Sequence, residues 1–133
     1  MSVILSIKPK YVEKIKKGLK LYEFRKSIFK EKVSEIWVYS SAPVKQIVGK
    51  IFIETIIEDN PQELWKTCKS KAGINKKSFF KYFDGKNTGY AIVIKKYEHL
   101  TSPINPIDEN INFVPPQSFA YTSNILPSLL SKK

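Results

Sequence analysis

Apolar and polar positions along the chain change period several times, and each change marks an element. Val3 to Ile7 is a largely β-branched and apolar run, which predicts a buried first strand. Pro9 suits a first helical turn, where its missing N–H is not needed. Tyr11, Val12, Ile15 and Leu19 then recur at helical spacing. Lys10, Lys14, Lys16 and Lys17 fall elsewhere around that helix and give it a basic exterior, and Gly18 supplies the stop. From Leu21 to Ser27 the period drops to two. Tyr22 and Phe24 then share one face, Glu23 and Arg25 the other. Ser27 to Lys32 reads as a charged connection with room for one helical turn.

Glu35 to Ser40 predicts a third strand, followed by a Ser41-Ala42-Pro43 loop. Gln46 to Ile57 is a long β-branched strand interrupted by Gly49, a position that suggests a bulge or the sharp bend a barrel needs. Asn60-Pro61-x-Glu63 opens a helix with cap, first-turn proline and acidic third position in order. Leu64, Trp65 and Cys68 form its apolar side, and Gly73 ends it. Asn75 caps a further helix carrying Phe79, Phe80, Tyr82 and Phe83; these phenylalanines and Trp65 are expected in the core. Thr88 to Tyr97 is a clear strand. Beyond Leu100, prolines at 103, 106, 115 and 116 exclude regular structure over most of the segment, and Phe119 to Tyr121 reads as a last short strand.

The resulting order, β-α-β-β-β-α-α-β-loop-β, has no repeat and no linker. It describes one domain over residues 1–133, with a core of about 3–121 and a tail at 122–133. The class is α+β, mainly β: a small, partly open β-barrel with helices packed at its rim. Long strands in succession between 34 and 58 leave no place for the helices of a doubly wound parallel sheet.

Composition narrows the function classes. A chain of 133 residues that is 42% hydrophobic supports a core and is not a disordered chain. Lys+Arg 23 against Asp+Glu 12 leaves a net charge of +11. Such an excess draws polyanions, because neutralised phosphates release counterions. Cys68 is the only cysteine and His99 the only histidine, so neither a disulfide nor a zinc site of ordinary spacing can be assembled. Both are expected to be structural, and no metal or cofactor is expected. The first seven residues are too short and too soon followed by charge for a signal peptide. No apolar run approaches the ~20 residues of a membrane span. A cytoplasmic protein without a membrane partner is expected.

Lys20 stands at the helix-to-strand corner, where it can join the Glu23 and Arg25 face. The run Gly18-x-Lys20-x-x-Glu23-x-Arg25, placed after a strand and a short helix, resembles the signature of the ASCH (activating signal cointegrator homology) family, a branch of the PUA-like superfamily. Val38-Tyr39-Ser40-Ser41-Ala42-Pro43-Val44-Lys45, followed by Ile47-Val48-Gly49, is similar to that family's second stretch. Tyr90-Ala91-Ile92 is similar to its late strand, and Pro115-Pro116-Gln117-Ser118-Phe119-x-Tyr121 to the C-terminal element of small prokaryotic members. The resemblance implies a PUA-like barrel with a cleft between barrel and first helix, lined by the motif's polar residues. It implies RNA or a modified nucleotide as ligand and leaves DNA open. Some small relatives are amidohydrolases that act on N4-acetylcytidine through a Lys, a Thr and a Glu. Lys20 matches the lysine, Glu23 stands at the threonine position, and the Lys76-Lys77-Ser78 region holds no glutamate for the third role. A ribonuclease activity is also associated with the family. A nucleic-acid-binding module is therefore the first reading, and a small nucleoside or RNA hydrolase centred on Lys20 and Glu23 the alternative.

Each candidate has a chemical role. Glu23 can accept from exocyclic amino groups, and Arg25 can bind a phosphate or base edge through two hydrogen bonds. Lys20 can hold a phosphate or, if burial lowers its pKa, act as base or nucleophile. In the hydrolase reading Glu23 is the general base and Lys20 its electrostatic partner or proton carrier. Lys26 extends the motif's basic end. Tyr39, Ser40 and Ser41 lie at a strand end, where a ring and hydroxyls can flank a base; stacking contributes about 1–3 kcal/mol per base. Gln117 and Ser118 sit in a rigid Pro-Pro setting that can turn them to the cleft. Lys10, Lys14 and Lys17 form the phosphate-attracting stripe. Monomer and homodimer both stay open.

Overall fold

The structure, a computed structural model, describes residues 2–105 and 119–121. Its elements are β1 (Ser2–Ile7), α1 (Pro9–Lys16), β2 (Tyr22–Arg25), β3 (Glu35–Ser40), β4 (Gln46–Asp59), α2 (Pro61–Cys68), a 3-10 turn (Lys69–Lys71), α3 (Lys76–Tyr82), β5 (Gly89–Ile104) and β6 (Phe119–Tyr121). The strands form one sheet in the order β2-β5-β4-β3-β1-β6. β1 and β3 pair in parallel, and the other four pairings are antiparallel. β2 and β6 remain as edges, so the curled sheet is a partly open barrel, mixed and mainly β.

The curl has a local cause. Register shifts interrupt β4 between Ile47 and Gly49 and again between Phe52 and Thr55, and such irregularities bend a strand and increase its twist. Gly49 also makes room for a neighbour, since a Cβ there would strike the Tyr97 ring and hydroxyl. Apolar side chains from β1, β3, β4 and β5 fill the concave face together with Val12 and Ile15 of α1. A second cluster holds Ile4, Trp37, Tyr39, Ile47 and Ile104. A third packs Phe24 and Ala91 against Leu64, Cys68, Phe79 and Phe83 of the α2–α3 layer. Both predicted caps form: Asn60 Oδ1 accepts from the Glu63 N–H at 2.9 Å, and Asn75 Oδ1 from the Ser78 N–H at 2.8 Å.

Three expectations change. β5 does not stop at Tyr97 but continues through Pro103 to Ile104, which pairs with Ile47. Ile47 of β4 receives Ile104, and Pro103 falls in the register shift between His99 and Ile104, where the ladder asks no N–H of it; the prolines at 106, 115 and 116 lie outside the described residues. Leu19 is not on the buried helix face but is 55% exposed. α1 ends at Lys16, and Gly18 at φ +76° turns the chain before Leu19 is reached. The connection from Ser27 to Lys32 contains no helical turn; buried Phe29 and, just beyond it, Val33 tie it to the core instead.

Candidate functional site

The α1–β2 corner sits against the end of the α2 layer, and that contact places Lys20. Lysine is rarely buried, yet Lys20 is only 2% exposed. Its stem lies against Gly73, where a Cβ would stand 2.5 Å from the Lys20 Cβ and Cγ. Its Nζ donates to the Ala72 carbonyl at 2.7 Å and lies 5.1 Å and 4.8 Å from the Tyr11 and Phe24 ring centres. Lys14 Nζ donates to the Gly73 carbonyl at 3.0 Å, and the Leu21 N–H to the Lys71 carbonyl at 2.9 Å. Three successive carbonyls, at a helix end where such groups lack intrahelical partners, are thus met by three donors from one corner. Burial is the main cause that lowers the Lys20 pKa from 10.5 to about 8; Glu23 opposes the shift and Lys14 adds to it.

The predicted two-face pattern of β2 is present. Phe24 pairs with Ala91 and enters the third cluster, while Glu23 and Arg25 pair with Ile92 and Tyr90 and face the concavity. Glu23 is 6% exposed, and Arg25 Nη1 donates to its Oε2 at 3.1 Å. Such charge-assisted bonds are about twice as strong as neutral ones.

These groups form the floor of a cleft of about 520 Å³. Ser6, Lys8, Lys10 and Tyr11 build one wall, from the end of β1 and the start of α1. Ile74, Ser78, Lys81 and Tyr82 build the other, on and just before α3. Five cations (Lys8, Lys10, Lys20, Arg25 and Lys81) therefore surround one carboxylate, Glu23. The Tyr82 hydroxyl is pushed above its ordinary pKa, mainly by burial, and Lys26 Nζ lies 4.8 Å from the Tyr82 ring centre.

Of the residues expected at the site, Lys10, Lys20, Glu23 and Arg25 line the cleft. Lys14 lies behind its edge, bound to Gly73, and Lys17 is exposed, 4.0 Å from Glu13. Tyr39 and Ser40 are buried one strand away, Tyr39 among Ile4, Trp37 and Ile47. The Ser41 N–H donates to the carbonyl of Ile7, itself a cleft residue, at 3.0 Å. The Tyr39–Ser41 stretch therefore adjoins the cleft without lining it. Gln117 and Ser118 lie outside the described residues. Sequence reasoning missed the α3 wall, although Ile74, Ser78 and Lys81 with Tyr82 recur at helical spacing and could have been found as one face. Cys68 is fully buried, and burial pushes its thiol to about 11. His99 Nδ1 lies 2.9 Å from the Tyr97 hydroxyl. Among the described residues no three His, Cys, Asp or Glu side chains gather to hold a metal, and no helix is long and apolar enough to cross a membrane.

A partly open barrel with a helix over its mouth and a charged cleft beneath that helix defines a PUA-like domain. The family model for the ASCH domain matches residues 5–106, and the chain belongs to that family. It is 29% identical over 125 residues to an ASCH domain-containing ribonuclease of Zymomonas mobilis, across 89% of this chain and 82% of that protein. A crystal structure of ASCH from Zymomonas mobilis matches with a TM-score of 0.86 at 26% identity, covering 98% of this chain and 94% of the other. The chain is also 26% identical over 121 residues to large ribosomal subunit protein uL22 of Ureaplasma parvum, across 90% of its own length and 39% of that protein's.

Proposed function

We propose that the chain binds single-stranded RNA, with one nucleotide unit seated over Lys20, Glu23 and Arg25. The observation that carries this reading is the cleft's composition: five cations and aromatic Tyr11, Phe24 and Tyr82 around one carboxylate. Cations suit phosphates, ring faces suit a base, and Glu23 can accept from base N–H groups. The net charge of +11 adds long-range attraction. Fluorescence anisotropy with a labelled oligoribonucleotide, run across a salt series beside the matching DNA, tests it. Binding should weaken steeply with salt, and Arg25→Glu should abolish it while circular dichroism stays native. No binding at any salt, or binding indifferent to salt, sinks the proposal.

A second reading, RNA cleavage, is favoured by the ribonuclease-named relative and by the Lys20 pKa of about 8. Here Glu23 takes the proton of a 2′-hydroxyl, the 2′-oxygen attacks the adjacent phosphorus, and the 5′-oxygen leaves with a proton from the Lys20 ammonium. A 2′,3′-cyclic phosphate and a free 5′-hydroxyl result. Arg25 offsets charge on the phosphoryl oxygens, and an acid with a pKa near the working pH suits this transfer. End-labelled RNAs, incubated with wild type, Lys20→Met and Glu23→Gln, test it. Product absent in both variants supports it. Product absent with wild type, or undiminished in the variants, removes this reading and leaves the binding proposal standing.

A further inference from the structure

We infer that the cleft's occupant is a single-stranded polynucleotide several units long, whose backbone leaves the cleft along the Lys77–Lys81 stripe of α3. The inference rests on the cleft reading above and adds the path and extent of the ligand. A space of about 520 Å³ is within the range for one small-molecule-sized unit, so any further units must run over the surface.

Two routes lead away from the floor. The first follows α3. Lys81 belongs to the cleft wall, and Lys77 lies one turn earlier on the same stripe, with Cβ atoms about 6 Å apart at this spacing. Lys76 adjoins them, and all three are exposed. Among the described residues no carboxylate comes within 4 Å of their ammonium groups. With Lys8 and Lys10 on the opposite wall, this makes a cationic track across the cleft mouth.

The second route crosses the sheet. Arg25 pairs with Tyr90, and Tyr90 with Glu58, so one row of side chains leads from the cleft to a neighbouring hollow of about 330 Å³. Glu31, Glu58 and a single ammonium, Lys32, line that hollow beside Ile28 and Ile56. A phosphate entering there meets two carboxylates and one cation, whereas α3 itself, Lys76–Tyr82, carries three lysines and no carboxylate. Charge therefore selects α3.

The test uses a nucleoside 5′-monophosphate and an oligoribonucleotide of about six units, with wild type, Lys76→Glu with Lys77→Glu, and Glu58→Lys. Glutamate suits the first turn of a helix, so the double variant folds; its melting curve checks this. The oligonucleotide should bind wild type at least tenfold more tightly than the mononucleotide at low salt. The double variant should lose that advantage, and its slope of log affinity against log salt should fall by about 1.4, at ~0.7 per phosphate. Its mononucleotide binding should be unchanged, and Glu58→Lys should alter oligonucleotide affinity less than twofold. If the oligonucleotide binds no better than the mononucleotide, or the double variant keeps the wild-type slope, the track is wrong and the cleft reading survives. Marked tightening by Glu58→Lys reassigns the route to the hollow. If neither ligand binds, cleft and track fall together.

Discussion

Replacing Gly73 by alanine adds one methyl group and incurs two separate costs. Gly73 has φ +69°, and an L-residue in that region costs about 1–2 kcal/mol. The new Cβ would stand 2.5 Å from the Lys20 Cβ and Cγ and 2.7 Å from its Cδ. Overpacking of this kind typically costs about 1–3 kcal/mol. The lysine stem cannot swing aside freely, because its ammonium is bound to Ala72 and lies against two rings. The expected destabilisation is therefore about 2–5 kcal/mol. Gly18 supplies the matched control: its φ is +76°, and an added Cβ meets nothing within 4 Å. Gly18→Ala carries the conformational cost alone. Urea unfolding of wild type and both variants, at unchanged m value, isolates the close approach as the difference between the two losses. Gly73→Ala should lose about 1–3 kcal/mol more than Gly18→Ala. Equal losses would refute the close approach of the Lys20 stem to Gly73. Where Gly73→Ala still folds, the binding proposal expects weaker affinity for RNA, because Lys20 is displaced from the cleft floor.

Two further predictions concern buried titratable groups. Lys20 has a pKa of about 8 when folded against 10.5 in an ordinary lysine, so between those values the unfolded chain holds more protons. Stability should then rise with pH from about 8 toward 10 in wild type relative to Lys20→Met, by up to about 3 kcal/mol at ~1.36 kcal/mol per pH unit. Urea unfolding of both proteins at pH 7, 8.5 and 9.5 checks this, and a pH-independent difference contradicts it. Cys68 is fully buried, with its thiol raised to about 11. It should resist a thiol-reactive chromophore in the native protein and react at the rate of unfolding in denaturant; rapid native labelling would contradict its placement.

Local signals were legible wherever one residue type answers one backbone need. Asn60, Pro61 and Glu63 start α2, Asn75 starts α3, and Glu35–Ser40 is a strand with the bounds its pattern predicts. What escaped depends on partners remote in the chain. β5 persists past Pro103 because Ile47 of β4 receives Ile104. Lys20, by type a surface residue, is buried because one carbonyl, that of Ala72, 52 positions away, receives its ammonium. The cleft followed the same division. Its floor was readable from the Lys20–Arg25 motif, whereas the wall of Ser78, Lys81 and Tyr82 exists only once α3 folds over that floor.

β1 and β2 flank α1 in the chain, yet three strands separate them in the sheet. α1 links the two, held by Val12 and Ile15 in the concave cluster and by the Lys14 bond to Gly73, with Lys20 just beyond it bound to Ala72. Among the described residues α1 meets the sheet along a seam of side chains and not through a ladder of backbone hydrogen bonds. Widening a seam of that kind slides apolar contacts and leaves every interstrand bond intact. The helical wall carrying Lys10 and Tyr11 is accordingly the side on which the cleft can widen while the strands stay still.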